Sequence, residues 1–365
     1  MRSAVVASFR KFTYFLFITL LLKLLPLQAI AETFQGAFIK KEQLKKSKII
    51  LVAQNYRESE QKILQGCITD MCSFRDVLLK KGFPEWCITE LTDAEQPLTH
   101  DRITQCIKTL AQQSQTDKTI ECVILGFWGH GKQVLDQSGD ESDGLDEAYE
   151  TSDKPITDDC LYSILKKFRN DMNIVVYADC CHARTITDMP TMLTFDSATQ
   201  KVVKSVSKHR EGDSIGAKVL TISACDDSEG AKEVSPWLLA DPAEENVFLS
   251  KGIQDDISDR DSSMETSSYL SDSISPNCSN FSSVCGSPRE RSIEPDMGLS
   301  LSSQEPLPKM GVMTSHVLAL LKESQPLSIA GLLQGLCQNI PAGFCQTPCI
   351  SLNFEVDESQ LSLFD

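Results

Sequence analysis

The sequence has few cationic, aromatic and histidine side chains. Its 365 residues include 35 Lys and Arg against 51 Asp and Glu, a net charge of −16, with only 5 His and 7% aromatic residues. This negative charge repels phosphate backbones, so we expect no nucleic-acid partner. Scarce histidine and the lack of paired Cys-x-x-Cys units argue against a structural zinc site. With 41% hydrophobic residues, 18 Gly and 15 Pro, the composition excludes collagen, a coiled-coil rod and a wholly disordered chain.

Long hydrophobic runs are also missing, apart from one near the start of the chain. Residues 12–22 are apolar, basic residues precede them, and the small residues Ala29 and Ala31 follow. This order predicts a secretory signal over residues 1–31 and therefore an exported protein, periplasmic or secreted. An uncleaved N-terminal membrane anchor is the alternative, although Lys23 interrupts the run. Residues 32–47 are interpreted as a leader.

Cysteine is the one chemically special residue that is abundant, with 14 copies. An even number in an exported protein favours disulfides, and Cys345 and Cys349 are spaced to pair with each other or with Cys337. Many other cysteines stand singly in apolar runs, where cysteine behaves as a small buried hydrophobe. The pairing and the redox compartment therefore stay open. These single cysteines are Cys67, Cys72, Cys87, Cys106, Cys122 and Cys160.

Short apolar runs alternate with helical periodicity along most of the chain. The two patterns together indicate an α/β fold in which helices cover both faces of a mostly parallel sheet. The predicted strands are 48–56, 87–91, 121–127, 173–178 and 218–223, and the predicted helices are 70–81, 99–110 and 158–168. Helical and strand patterns return at 310–321 and 349–356.

A long stretch interrupts this alternation. Residues 236–308 are rich in serine and poor in core residues, which predicts a disordered, Ser-rich acidic insertion. The insertion divides one domain into a core of residues 48–235 and a C-terminal part of residues 309–365. A second polar stretch, residues 189–214, is predicted to be a flexible basic loop.

Reactive side chains follow two of the predicted strands. Trp128-Gly129-His130-Gly131 ends the third strand, and Asp179-Cys180-Cys181-His182 ends the fourth. Because ligands bind beyond the carboxyl ends of parallel strands, these groups are expected at one edge of the sheet. A thiol there, with a histidine to take its proton, predicts a Cys–His dyad for nucleophilic catalysis.

These segments resemble the metacaspases, a family of caspase-like (clan CD, peptidase C14) cysteine peptidases. The acidic run Asp143-Gly144-Leu145-Asp146 after the histidine resembles a further motif of that family. The resemblance covers residues 48–230 well and 310–355 loosely, and it implies a caspase-like fold. It implies His130 as general base and Cys181 as nucleophile, with Cys180 as the competing candidate. The backbone N–H groups of Gly131 and Cys181 would form the oxyanion hole, and His182 would be structural.

The resemblance also implies the substrate. Metacaspases cleave after Arg or Lys, and Asp70 and Asp179 fall on the carboxylate positions of their S1 pocket, with Cys67 and Trp128 beside them. The alternative for Asp70 is that it caps the helix beginning there. Protein or peptide substrates with Arg or Lys at the cleaved position are the expected partners, and the family implies a monomer.

Calcium is the cofactor that the resemblance implies. Asp158, Asp159 and Asp188 match the family's calcium positions, with a fourth ligand from either Asp143 or Asp146. The alternative is that Asp158 and Asp159 only complement a helix dipole.

The basic loop then looks like a segment for autocatalytic cleavage. Its candidate positions for self-cleavage are Lys201, Lys204, Lys208 and Arg210.

Two departures from the family pattern leave other hypotheses open. Trp128 replaces a serine at the substrate pocket, and Arg184 places a bulky cation after the nucleophile, where it either pairs with an acidic loop residue or obstructs the site. An inactive caspase-like scaffold that binds calcium or a protein partner is therefore the alternative function. A legumain- or gingipain-like peptidase would keep the dyad without the calcium dependence.

Overall fold

A computed structural model describes most of the chain outside its N-terminal run and its Ser-rich stretch. The described residues are 36–59, 63–139, 141, 143–207, 214–234, 309–322 and 326–365. They belong to one compact unit, and a second unit, Pro242–Leu307, lies outside them, as do the predicted signal or anchor and the whole of the predicted insertion. Within these ranges no helix is both long and apolar enough to cross a membrane.

The elements follow the alternation that the sequence predicts. The helices are α1 (Cys67–Lys81), α2 (His100–Thr116), α3 (Asp158–Leu165), α4 (Val312–Lys322) and α5 (Ile329–Asn339). The strands are β1 (Gly36–Ile39), β2 (Ser47–Ala53), β3 (Ile88–Thr92), β4 (Cys122–Trp128), β5 (Gly131–Leu135), β6 (Leu145–Tyr149), β7 (Ile156–Thr157), β8 (Asn173–Asp179), β9 (Thr191–Asp196), β10 (Lys201–Val206), β11 (Lys218–Ser223), β12 (Glu233–Val234), β13 (Met310–Gly311), β14 (Cys349–Leu352) and β15 (Leu361–Phe364).

Eight strands form the central sheet, in the order β10-β9-β14-β11-β8-β4-β2-β3. The pairs from β11 to β3 are parallel, whereas β14, β9 and β10 extend the sheet with antiparallel pairs. The expected mostly parallel α/β sheet is therefore confirmed, with an antiparallel extension on one side. In this register Trp128, at the end of β4, lies opposite Asp179, at the end of β8.

Helices cover both faces of the sheet. Successive side chains of β4 alternate between the faces, with Ile124 and Trp128 in one apolar cluster and Leu125 and Phe127 in the other. The first cluster contains the buried faces of α1, α4 and α5, and the second contains those of α2 and α3. Since β4 is buried along its whole length, it is apolar throughout rather than alternating.

The prediction of a flexible basic loop over residues 189–214 is wrong for most of that stretch. Residues 191–206 contain an antiparallel hairpin of β9 and β10, in which Lys201 pairs with Asp196. Strand β10 is an edge strand, and its exposed lysines are what such an edge needs to avoid pairing with other chains. Its polar composition was therefore that of an exposed strand rather than of a loop.

The chain ends also differ from expectation. Within the predicted leader, β1 pairs in parallel with β15, which lies in a terminal segment too polar to assign from sequence. The twelve described cysteines are all free, so Cys337, Cys345 and Cys349, whose pairing the sequence left open, form no disulfide with one another. Cys337 instead donates to the carbonyl of Pro348 at 3.6 Å.

Candidate active site

Two consecutive cysteines follow strand β8, and the fold separates them. Cys180 is fully buried in the apolar core, and its carbonyl accepts the thiol of Cys225 at 3.3 Å. Cys181 is half-buried at the carboxyl edge of the sheet. Since a nucleophile must reach substrate, this burial leaves Cys181 as the candidate thiol and Cys180 as a core residue.

The histidine loop touches the cysteine loop directly. A Cβ added at Gly131 would overlap the carbonyl oxygen of Cys181, so only glycine allows the two backbones to come this close. At Gly129 a Cβ would lie 2.7 Å from the hydroxyl of Tyr56. The loops that carry His130 and Cys181 are therefore adjacent, as the predicted dyad requires.

Tyr56 supports His130 from the end of β2. Its hydroxyl accepts the backbone N–H of His130 at 2.9 Å and donates to the carbonyl of Glu150 at 2.8 Å. The rings of Tyr56 and His130 are 4.7 Å apart between centroids. Asp93 fixes this tyrosine by accepting its backbone N–H at 2.6 Å. Sequence reasoning did not single out Tyr56, because it follows its strand without a motif.

Opposing effects act on the thiol of Cys181. Burial raises its pKa, whereas hydrogen bonds with the backbone at Ala231 and Gly131 and the charge of Lys232 lower it. The net pKa is raised, so the thiol needs a base to take its proton. The hydrogen bond brings the backbone of Gly131 to the thiol, and Lys232 is a nearby cation that the sequence did not reveal.

The residues after the nucleophile are tied to the loop of residues 226–231. His182 donates its backbone N–H to the carbonyl of Glu229 at 3.2 Å, and its ring contacts the carbonyl of Asp227. Arg184 forms an ion pair with Asp226. Of the two alternatives for Arg184, the structure therefore has the pairing with an acidic loop residue, and His182 has the structural contacts expected of it.

The two predicted S1 carboxylates meet across strand β13. Gly311 donates its N–H to Asp70 at 2.7 Å, while Thr314 donates its N–H and hydroxyl to one oxygen of Asp179 at 3.1 and 2.6 Å. A Cβ at Gly311 would lie 2.7 Å from Asp179 and 3.1 Å from Asp70. Asp70 therefore bonds to another element instead of capping its own helix, and Cys67 is buried at the start of that helix.

One oxygen of this pair has no partner. The Oδ1 atom of Asp70 is buried without a hydrogen bond. Burial, followed by the charge of Asp179, raises the pKa of Asp70 to about 9, and burial raises the pKa of Asp179 to about 6. Glu233 adds to both increases. A buried acceptor without a partner, on one of two adjacent buried acids, favours a cation at this position.

The predicted position of Trp128 in the substrate pocket is wrong. Its side chain is 1% exposed and packs against Phe74 and Tyr177 in the core, because the strand alternation directs it to the α1 face. Its indole N–H donates to the hydroxyl of Thr314 at 2.8 Å. The side chain of Trp128 therefore lies behind the pocket, and Thr314 links it to the carboxylate of Asp179.

Three of the predicted calcium ligands converge at one acidic cluster, which does not include the alternatives Asp143 and Asp146. Oxygen atoms of Asp158, Asp159 and Asp188 all lie within 4.8 Å of one another. Burial, and next the charge of Asp188, raises the pKa of Asp158 to about 9, and Asp146 contributes. Asp158 also accepts the backbone N–H of Asp159 at 2.6 Å, so the predicted helix-dipole role is compatible with this position. All available ligand atoms are oxygens, which suits a hard cation.

A cavity of about 240 Å³ lies beside this cluster. Glu147 stands between the two, with its N–H donated to Asp158 at 2.8 Å and its carboxylate hydrogen-bonded to the hydroxyl of Thr185. Burial, followed by the charge of Asp227, raises the pKa of Glu147 to about 7. Sequence reasoning missed Glu147, although it directly follows the predicted ligand Asp146. The acidic and basic groups lining the cavity are Glu141, Asp143, Glu147, Arg184, Asp188 and Asp227.

Two of the four candidate self-cleavage positions lie on a strand of the central sheet. Lys201 and Lys204 lie on the paired edge strand β10, and Lys204 forms an ion pair with Glu355 at 3.1 Å. Lys208 and Arg210 lie outside the described residues.

Comparison with known proteins agrees with this geometry. Residues 47–190 match the family described as "Metacaspase, peptidase C14 domain". "Metacaspase-2" of Arabidopsis thaliana is 28% identical over 196 residues, which are 49% of this chain and 45% of the relative. "Metacaspase III c" of Phaeodactylum tricornutum is 32% identical over 156 residues, 40% of this chain and 45% of the relative. The chain thus spans about half the length of the curated relatives it matches.

A solved structure, "Crystal Structure of Caspase-1 from Spodoptera frugiperda", matches with a TM-score of 0.41 and 11% identity, covering 87% of each chain. The family match includes both loops of the predicted dyad and the predicted S1 carboxylates. Residues 47–190 of this chain are therefore similar to a metacaspase peptidase C14 domain.

Proposed function

We propose that this protein is an endopeptidase that cleaves peptide bonds after Arg or Lys, with Cys181 as nucleophile and His130 as general base. The observation that carries the specificity is the buried Oδ1 atom of Asp70, which has no partner and lies next to a second buried acid, Asp179. A guanidinium or ammonium group would satisfy this atom and neutralise the pair.

The chemistry follows from the placement of the two loops. His130 takes the thiol proton, and the Cys181 thiolate attacks the carbonyl carbon of the scissile bond. The N–H groups of Gly131 and Cys181 donate to the resulting oxyanion. His130 then gives its proton to the leaving amine, and a thioester remains on Cys181. A water molecule, deprotonated by His130, hydrolyses the thioester and restores the thiol.

The S1 pocket fixes the residue at the cleaved bond. Asp179 lies two residues before the nucleophile, so a side chain bound there places its own carbonyl near Cys181. Both carboxylates are held by backbone N–H groups of the segment 311–314, which leaves their remaining oxygen atoms for substrate. Long cationic side chains reach such a site, whereas an acidic side chain would meet like charges.

Calcium activation is part of the proposal. Asp158, Asp159, Asp188 and Asp146 would hold the ion, and a bound ion would supply positive charge that offsets the repulsion among these carboxylates. Glu147 connects this cluster to the catalytic loop, because Thr185 bonds to both Glu147 and Asp227. Loss of the repulsion would therefore stabilise the loop that follows Cys181.

Self-processing and export complete the proposal. Because Lys201 and Lys204 are hydrogen-bonded within the β9–β10 hairpin, cleavage after either requires that edge to open. The signal over residues 1–31 would direct the protein to the periplasm or medium. N-terminal sequencing of the protein recovered from cell fractions tests both the removal of the signal and the position of any internal cut.

The test of function is hydrolysis of fluorogenic peptides ending in Arg, Lys or Asp, with and without millimolar calcium. We expect calcium-dependent release after Arg and Lys only, and its loss in Cys181→Ala but not in Cys180→Ala. No release under any condition from a folded protein would contradict the proposal and favour the inactive scaffold. Release that is independent of calcium would favour the legumain- or gingipain-like alternative.

A further inference from the structure

A third carboxylate, that of Glu233, belongs to the surroundings of the S1 pocket. Both of its oxygen atoms accept the backbone N–H of Gln65, at 2.9 and 3.1 Å, and one of them also accepts the N–H of Gly66. These two residues immediately precede α1, whose first turn contains Asp70. The side chain of Glu233 therefore holds the start of the helix that carries an S1 carboxylate.

The backbone of Glu233 holds the other side of the same carboxylate. In the β12–β13 ladder Glu233 pairs with Gly311, and Gly311 donates its N–H to Asp70. Gly66 completes a closed ring, because its carbonyl accepts the N–H of Asp70 at 2.8 Å. The two hydrogen bonds from Gly311 to Asp70 and from Asp70 to Gly66 therefore both involve a residue bonded to Glu233.

The charge of Glu233 also acts on the pocket. It contributes to the raised pKa values of Asp70, Asp179 and Cys67. The groups that act electrostatically on Asp70 are Asp179 and Glu233, both acids, and the thiol of Cys67 and the hydroxyl of Tyr177 lie near the same pair. The three acids Asp70, Asp179 and Glu233 therefore act on one another in this pocket, and the Oδ1 atom of Asp70 has no hydrogen-bond partner.

We infer that Glu233 is a specificity-determining residue, which positions Asp70 and supplies a third negative charge that attracts the arginine or lysine side chain of the substrate. This inference rests on the proposed function and deepens it. Glu233 lies 163 residues after Asp70 in the sequence, and only the pairing of β12 with β13 brings it to the pocket.

The test distinguishes the effect of the Glu233 charge from the effect of its hydrogen bonds to Gln65 and Gly66. Glu233→Gln retains an oxygen acceptor for the N–H groups of Gln65 and Gly66 but removes the charge, whereas Glu233→Ala removes both. Asp153→Asn is the matched control, because Asp153 accepts the N–H of His100 at the start of α2 and lies away from the S1 acids. It makes the same change of carboxylate to amide at the start of another helix.

We expect Glu233→Gln to raise KM for Arg and Lys peptides about tenfold, because one of three negative charges that attract the cation is lost, with kcat changed less than about twofold. The acidic limb of kcat/KM should move to lower pH, because Asp70 loses an anionic neighbour that raises its pKa. Glu233→Ala should raise KM further. Asp153→Asn should match the wild type, and kinetics of Glu233→Gln equal to those of Asp153→Asn would overturn the inference.

A binding measurement keeps this result apart from that of the proposed function. Calorimetry in a Cys181→Ala background would measure binding of agmatine, a guanidinium cation shaped like the arginine side chain, with and without Glu233→Gln. Weaker agmatine binding in Glu233→Gln, with no peptide cleaved by the wild type, supports the inference and contradicts the peptidase function. Cleavage by the wild type with unchanged agmatine binding in Glu233→Gln supports the function and contradicts the inference. If agmatine does not bind and the wild type cleaves no peptide, the result contradicts both the inference and the proposed function.

Discussion

Trp128 and Thr314 are joined by a buried hydrogen bond of 2.8 Å, although 186 positions separate them in the chain. Thr314 donates its only hydroxyl proton to Asp179 at 2.6 Å, so the hydroxyl of Tyr177, 2.9 Å away, must donate to Thr314. This one threonine therefore satisfies two aromatic donors and an S1 carboxylate. The aromatic core beneath the sheet edge thereby fixes the position of the substrate pocket.

Thr314→Val should lower the free energy of unfolding by about 2–4 kcal/mol, because it leaves the buried donors of Trp128 and Tyr177 without their acceptor. It should also weaken binding of Arg substrates, since Asp179 loses a donor that favours its charged form. Ser351→Ala is the control, because its buried hydroxyl has no hydrogen-bond partner. Chemical denaturation of both variants checks the difference, and equal stabilities would contradict this role of Thr314.

The pH dependence of stability tests the buried acid at position 70. Its pKa is about 9 in the folded protein, against 3.8 ordinarily, so the folded state binds the proton more tightly than the unfolded state does. The stabilisation is complete below about pH 4 and is lost as the pH rises through about 9. Asp70→Asn should therefore raise the melting temperature at pH 8.5 by at least about 3 °C and change it little below pH 4.

Asp136→Asn should behave in the opposite way. Hydrogen bonds from Gly139 and other backbone N–H groups lower the pKa of Asp136, so its contribution is present at neutral pH and is lost as the pH falls. Thermal melts across pH 4–9 compare the two variants. An unchanged melt of Asp70→Asn at pH 8.5 would show that this carboxyl is not held in its protonated form.

Glycine at position 131 is required by the contact between the two catalytic loops. Gly131→Ala would place a methyl group into the carbonyl of Cys181, so we expect activity to fall at least about 100-fold, by displacement of an oxyanion donor. Gly230→Ala is the control, because its Cβ would lie at an ordinary 3.6 Å from the thiol of Cys181. Steady-state kinetics check the pair, and similar activities would mean that the loops can separate freely.

The acidic cluster predicts a measurable calcium affinity. Asp188→Asn should weaken calcium binding at least about tenfold, because even changes outside the ligands themselves cost that much at metal sites. In the wild type, calcium should raise the melting temperature, since it binds the folded state. Calorimetric titration with calcium, using Asp153→Asn as control, checks this. Equal affinity of the two variants would place the ion elsewhere.

Much of the fold could be predicted from the sequence, because its central strands are buried on both faces and therefore apolar along their length. Strands β4, β8 and β11 were each predicted to within one residue at either end. The edge strand β10 was missed, since its exposure makes it polar. The terminal strand β15 was missed although it is mostly buried, because it has only four residues and follows a polar segment. Helix α5 could have been predicted, because its apolar residues have helical spacing: Ile329, Leu332, Leu333 and Leu336.

The residues of the candidate site likewise fall into those that could be predicted from the sequence and those that could not. His130 and Cys181 could be predicted because each stands in a motif at the end of a buried strand. Trp128 was placed wrongly, since its motif position did not reveal that strand alternation turns it into the core. Thr314 and Glu233 could not be found, because they lie on either side of residues 236–308 in the sequence and reach the pocket through tertiary contacts that no local pattern indicates.

The central claim is that Cys181 is an activated thiol beside a pocket for a cationic side chain. Reaction with a peptidyl-arginine chloromethyl ketone, compared with the aspartate analogue and followed by peptide mapping, tests it most directly. Cys345 is exposed, so its labelling reports general thiol reactivity within the same sample. We predict that the arginine reagent labels Cys181 far faster than Cys345 and that the aspartate reagent does not. Equal labelling of the two cysteines by both reagents would contradict the account.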